Sequence, residues 1–221
     1  MIPYRPLSLI AGFCLLASSA CADWVLVQKA TADDKTEEVV IHIKGEQTRL
    51  DVGKEMSVIA GGADGQMIML MHQQKMMMRL SADTLKGVMA LAGAAFGADQ
   101  AAAKPVATGM KEKVGTYVCE VFTWTGKMGS GKFWVARDFA GYEALNAAQD
   151  KLMQAMGNPA SAFAPQASDF PGMVIKSEMQ VMGKSNVSEL VSAKEEAVDA
   201  AIFVLPADYK EMKMPALPGG K

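Results

Sequence analysis

The chain has 221 residues, half of them hydrophobic, with 22 basic and 24 acidic residues and a formal net charge of −2. That length suits one domain with a sizeable core, and the near-neutral balance leaves no electrostatic footprint for nucleic acid or an anionic membrane surface. Two histidines and three cysteines leave little material for imidazole, zinc or disulfide chemistry.

Residues 1–22 have the anatomy of an export leader. Arg5 supplies a positive start, Leu7 to Ala17 an apolar run, and Ala20-Cys21-Ala22 a small-x-small cleavage site before Asp23. The apolar run is shorter than the roughly 20 residues a spanning helix requires, so no transmembrane segment is expected in the mature chain. A rival reading takes Ser18-Ser19-Ala20-Cys21 as a lipobox, but Ser18 stands where such boxes usually carry Leu. The expectation is therefore an exported protein, periplasmic or secreted, that is membrane-anchored only if Cys21 is acylated. Taking the 22-residue leader from 221 leaves 199 residues, 23–221, as a single domain of charge −3, since the leader holds Arg5 and no acid. Of the cysteines only Cys119 then remains, in the strand-like run Tyr117-Val-Cys-Glu-Val-Phe122, where a buried inert thiol is expected.

After the leader, period-2 alternation predominates. Val39, Ile41 and Ile43 share one strand face, with His42 and Lys44 on the other. Gly45-Glu46 turns the chain into a strand carrying Leu50 and Val52. Gly61 to Gly65 is turn chemistry, and Gln66 to His72 reads as the next strand, projecting Met67, Met69 and Met71 from one face. Met76 to Met78 follow a polar break. Ser81 caps a predicted helix whose apolar stripe is Leu85, Val88, Met89, Ala92 and Phe96. Gly93 to Ala107 is Ala- and Gly-rich, a frayed helix end or a connection. A hairpin follows, Tyr117 to Trp124 and Lys132 to Ala136, joined by Gly126 to Gly131. Tyr142, Leu145, Leu152 and Met156 mark a second helix, and Asn158 to Pro171 a loop. The strands Met173 to Met182 and Asn186 to Ala193 turn at Gly183-Lys184, and Ile202 to Lys210 forms an apolar anchor before a Pro-rich terminus.

Few of these segments suit catalysis. Gly126-Lys-Met-Gly-Ser-Gly-Lys132 falls one residue short of a phosphate-binding loop, because Phe133 lacks the magnesium-binding hydroxyl and opens a strand instead of a helix. Neither histidine sits in H-E-x-x-H, no G-x-S-x-G elbow occurs, His42 is expected to face solvent, and Glu195-Glu196 reads as a solvated surface. The chain is thus expected to be no enzyme, with no catalytic residue, no metal in its assigned site and no cofactor. The 18 methionines, densest between Met67 and Met78, bear two readings. Thioethers with His72 among them are coherent Cu(I) chemistry, while alternate methionines on one strand equally suit a core or a lipophilic face.

Several segments, taken in order, carry a resemblance. Gly45-Glu-x-x-Arg-Leu-Asp51, the Ile68-Met-Leu-Met71 strand, Gly115-Thr-Tyr-Val-Cys-Glu120, Phe133-Trp-Val-Ala136, Phe170-Pro-Gly-Met-Val-Ile-Lys176 and Phe203-Val-Leu-Pro-Ala-Asp-Tyr-Lys210 together resemble a bacterial envelope family of the DUF4412 type, a domain of unknown function. That family is similar in fold to periplasmic lipoprotein carriers. The resemblance implies an unclosed antiparallel barrel with helices in its mouth. The combined expectation is an α+β domain in which a curved, unclosed antiparallel sheet of about ten strands wraps two helices. An apolar ligand, a lipid or lipoprotein acyl chain, would lie between them against Met67, Met69, Met71, Leu85, Met89, Phe96 and Trp134. The alternatives are a methionine-rich copper binder and a non-catalytic structural or interaction module.

Overall fold

The structure, a computed structural model, describes residues 23–61, 65–81, 83–84, 87, 103–127, 129–155, 164–181 and 183–212. The expected leader lies outside them, as do most of the helix predicted after Ser81 and the residues beyond 212. Only Asp83, Thr84 and Gly87 of that helix are described, and they are helical.

Twelve strands form one sheet among the described residues. In chain order they are β1 (Trp24–Ala32), β2 (Lys35–Lys44), β3 (Gln47–Val52), β4 (Met56–Ala60), β5 (Met67–Met71) and β6 (Met76–Leu80). Then come β7 (Val106–Val114), β8 (Tyr117–Gly126), β9 (Gly129–Ala136), helix α1 (Tyr142–Ala155), β10 (Met173–Val181), β11 (Lys184–Glu195) and β12 (Lys210–Met212). The spatial order is β12-β6-β5-β4-β3-β2-β1-β11-β10-β9-β8-β7. Two hairpin meanders therefore meet where β1 pairs with β11, and the sheet ends on two edges without closing. Every pairing is antiparallel except β12 with β6, which is parallel.

The unclosed antiparallel sheet is the expected one, with corrections in detail. There are twelve strands in place of about ten, and one full α-helix, not two, among the described residues. β1 escapes period-2 reading because Val25, Leu26 and Val27 are consecutive apolar residues. β7 escapes it because most of its residues are exposed and a register shift interrupts it between Ala107 and Lys111. Val106 and Ala107 accordingly begin a strand where sequence suggested the end of a low-complexity connection. The tail holds a 3-10 turn at Ala200–Phe203 and then β12.

α1 lies on one face of the sheet, called here the inner face. Leu145 and Leu152 are buried against it with Tyr142 and Ala148 beside them, a stripe at helical spacing, and Glu143 sits favourably in the first turn. The cluster beneath includes Leu26, Ile41, Val58, Met67, Val121 and Ile175. On its other flank α1 presents polar groups one turn apart. Asn146 donates to the carbonyls of Ala167 and Gly172, and the Asp150 carboxylate accepts from the Ala167 and Ser168 amides. These bonds hold the 3-10 turn Ala167–Asp169 and deliver Phe170 to the outer face. There it packs with Phe122, Trp124, Phe133 and Val135 in a second cluster. β8 and β9 are thus buried on both faces, which explains the continuous apolar run Phe133-Trp-Val-Ala136.

Candidate ligand-binding face

Cross-strand partners in a sheet project from the same face, so register assigns the methionines. Met56 of β4 pairs with Met71 of β5, and Met71 pairs with Met76 of β6. In the next row Val58, Met69 and Met78 are partners, and in the third Ala60, Met67 and Leu80. Val58, Ala60, Met67 and Leu80 belong to the inner core, which places all three rows on the inner face. The third row is buried, with Met67 only 1% exposed, whereas Met56, Met69, Met71, Met76 and Met78 are half-buried. At the corresponding face of β1 to β3 stand Leu26, Val39, Ile41, Ile43, Leu50 and Val52, together with Trp24, Gln28 and Thr48. Five methionines thus cluster at half-buried positions of β4 to β6, whereas the half-buried Leu50 and Val52 of β3 are branched aliphatics.

Met67, Met69 and Met71 are therefore brought together as expected, and Met56, Met76 and Met78 join them. The added residues were legible as alternation, Met56-x-Val58-x-Ala60 and Met76-x-Met78-x-Leu80, although only pairing brings them into rows. Trp134 shares the inner face but stands on β9, with six strands between it and β5. Its indole N–H donates to Glu112 at 2.7 Å, and the Lys132 and Lys176 ammonium groups each lie 4.5 Å from its ring centroid. The Trp134 bond, with a second from Lys132, holds the Glu112 carboxyl below its ordinary range. Leu85, Met89 and Phe96 fall outside the described residues. Two surface grooves toward the β7 edge of the sheet include none of the predicted ligand residues.

The outer face of the same strands carries a polar network that sequence reasoning missed. Ser57 is fully buried, and its hydroxyl donates to Asp51 at 2.5 Å while accepting from Arg49 at 3.0 Å. Its proton being committed to Asp51, Ser57 can only accept from His72 Nε2, 2.6 Å away. The other ring nitrogen, Nδ1, shares a hydrogen bond of 2.6 Å with the Tyr209 hydroxyl. Arg49 also donates to Asp51 and to the Ile202 carbonyl. His42 stands 3.6 Å from Asp51 with its side chain 23% exposed, so the expected solvent-facing histidine is half-buried, and burial pushes its pKa down. The network secures the C-terminal tail across the outer face, helped by Lys44, which donates to Asp23 and the Val198 carbonyl. His72 is thereby turned away from the methionines it neighbours in sequence.

The phosphate-loop resemblance also resolves physically. β8 and β9 pair as far as Gly126 with Gly129, so their connection is tighter than the six-residue loop expected. A β-carbon on Gly126 would lie 2.5 Å from the Trp124 ring, one on Gly131 would lie 2.9 Å from the Phe133 ring, and one on Gly129 would overlap the Gln180 carbonyl. The glycines make room for aromatic rings and a neighbouring strand. Cys119 is free and buried, as expected, and burial raises its thiol pKa. No described helix is long and apolar enough to cross a membrane.

Among solved structures, an uncharacterised conserved protein from Thermus thermophilus is similar over 87% of this chain and 91% of its own, with a TM-score of 0.54 at 6% identity. Mycobacterium tuberculosis lipoprotein LppX aligns over 80% of this chain and 88% of its own, with a TM-score of 0.41 and 9% identity. PNGF-II aligns over 88% of this chain with a TM-score of 0.44 and 12% identity, and the chain spans only 32% of PNGF-II. No curated protein matches the sequence. The family model for the domain of unknown function DUF4412 matches residues 25–209, most of the chain, and the protein belongs to that family.

Proposed function

We propose that the inner face of β4 to β6 binds an apolar ligand, a lipid or acyl chain, in an exported envelope protein. The observation that carries this reading is the cluster of five half-buried methionines in two cross-strand rows of three adjacent strands, continuous with the apolar core. Flexible, polarizable thioethers adapt to an apolar partner of irregular shape, and ordered half-buried rows give such a partner area to cover. Binding acts through contact, without catalysis. The Ser57–His72 pair supports a structural role because the serine proton is held by Asp51 and the hydroxyl has no exposure. The periplasmic or secreted location rests on the leader-like residues 1–22.

Native mass spectrometry of the protein purified from its own envelope tests the reading. A lipid-sized adduct released by collisional activation is expected. A bare protein in every gentle preparation would contradict it.

A further inference from the structure

We infer that the inner face also builds a thioether site for one Cu(I) ion from Met69 and Met71 of β5 and Met76 and Met78 of β6. The site rests on the same face as the apolar-ligand reading but demands sulfur, which that reading does not. Met69 pairs with Met78 and Met71 with Met76. Direct partners have β-carbons about 4.5–5.5 Å apart, and successive same-face residues about 6.7 Å apart. Four thioethers therefore stand at the corners of a small quadrilateral, and each side chain is long enough to bring its sulfur over the centre. Met56 flanks Met71, and Met212 of the parallel strand β12 flanks Met78, so further thioethers border the site.

The donor set selects the ion. Thioethers are soft and uncharged, which favours Cu(I) and gives little hold on Zn(II), Mg(II) or Ca(II). His72, the imidazole nearest in sequence, has both ring nitrogens engaged on the outer face by Ser57 and Tyr209. Lys210, paired with Met76, adds a positive charge that further disfavours a divalent ion. All four methionines are half-buried, so the sulfurs are neither locked in the core nor fully hydrated.

The test is anaerobic competition for ascorbate-reduced copper against the chromogenic chelator bicinchoninate. Wild type is expected to withdraw one equivalent, and the M69L/M71L/M76L/M78L variant to bind at least tenfold more weakly while keeping its circular dichroism spectrum. C119A should bind as wild type does, which assigns the metal to thioethers and not to the thiol. Should the quadruple variant fail to fold, the M71L/M76L pair and X-ray absorption of copper-loaded wild type decide, with a sulfur-only shell expected. No withdrawal of Cu(I), undiminished binding by the folded leucine variant, loss of binding in C119A or a nitrogen-containing shell would each overturn the site. Leucine preserves apolar area, so binding of a hydrophobic probe by the same variants reads the lipid proposal separately from the copper proposal.

Discussion

Ser57 occupies a tightly constrained polar position, since one buried hydroxyl serves Asp51, Arg49 and His72 at once. Ser57→Ala removes the acceptor of two N–H groups and one donor to a carboxylate, and a buried group left unpaired costs about 1–3 kcal/mol. Urea denaturation should show a loss in that range, with no change in binding at the inner face. Cys119 offers a second check, because full burial and a raised thiol pKa keep it from reacting. A thiol reagent such as dithionitrobenzoate should label it only under denaturing conditions, and rapid labelling of the native protein would contradict the packing. Sequence conveyed the Cys119 environment through its apolar neighbours. It did not convey that of His42 or Ser57, because the neighbouring Lys44 and Arg49 are tied to a tail about 150 residues away that no local pattern relates to β2, β3 or β4.

Among the elements, hairpin-sized alternation made β2, β3, β5, β8, β9, β10 and β11 legible. β12 was not, being three exposed residues whose only signature is parallel pairing with β6. Glycine spacing in the β8–β9 hairpin looked like loop chemistry, although Gly126 and Gly131 make room for the rings of Trp124 and Phe133 and Gly129 for the backbone of β10. Gly129→Ala sets a methyl group into the Gln180 carbonyl, so β9 and β10 must part there. A stability loss above the roughly 1 kcal/mol typical of point changes is expected by thermal or urea unfolding. The C-terminal tail brings a pH dependence with it. Lys44 and the Val198 amide hold the Asp23 carboxyl below its ordinary 3.8, and Lys75 does the same for Asp208. A carboxyl whose folded pKa is depressed contributes stability that is fully present above its unfolded value and lost as pH falls through the folded one. The tail attachments should therefore hold above about pH 4 and weaken below 3.8, and Asp23→Asn should flatten that acid limb in urea midpoints measured against pH. His42 adds a gentler decline below its ordinary 6.5, since burial favours its neutral form in the folded state.

For the molecule as a whole, alternation disclosed antiparallel hairpins because nearly all the pairings join strands close in sequence, while the unclosed shape was what the family resemblance implied. The union of the two meanders at β1 and β11 did not show, since it joins the ends of the chain. The ligand face was half legible. Alternation located Met67, Met69 and Met71, and register added Met56, Met76 and Met78 while carrying Trp134 to a distant part of the same face. The central claim is that accessible methionine rows on this face bind an apolar ligand. It is tested most directly by titrating a hydrophobic fluorescent probe into wild type and two variants of Met69, Met71, Met76 and Met78, one with all four changed to Leu and one with all four changed to Ser. Volume-conserving swaps to Leu cost about 1.5 kcal/mol or less each and keep the apolar surface, so wild type and the Leu variant should bind the probe while a folded Ser variant loses it. Equal binding by all three, or none by wild type, would contradict the account.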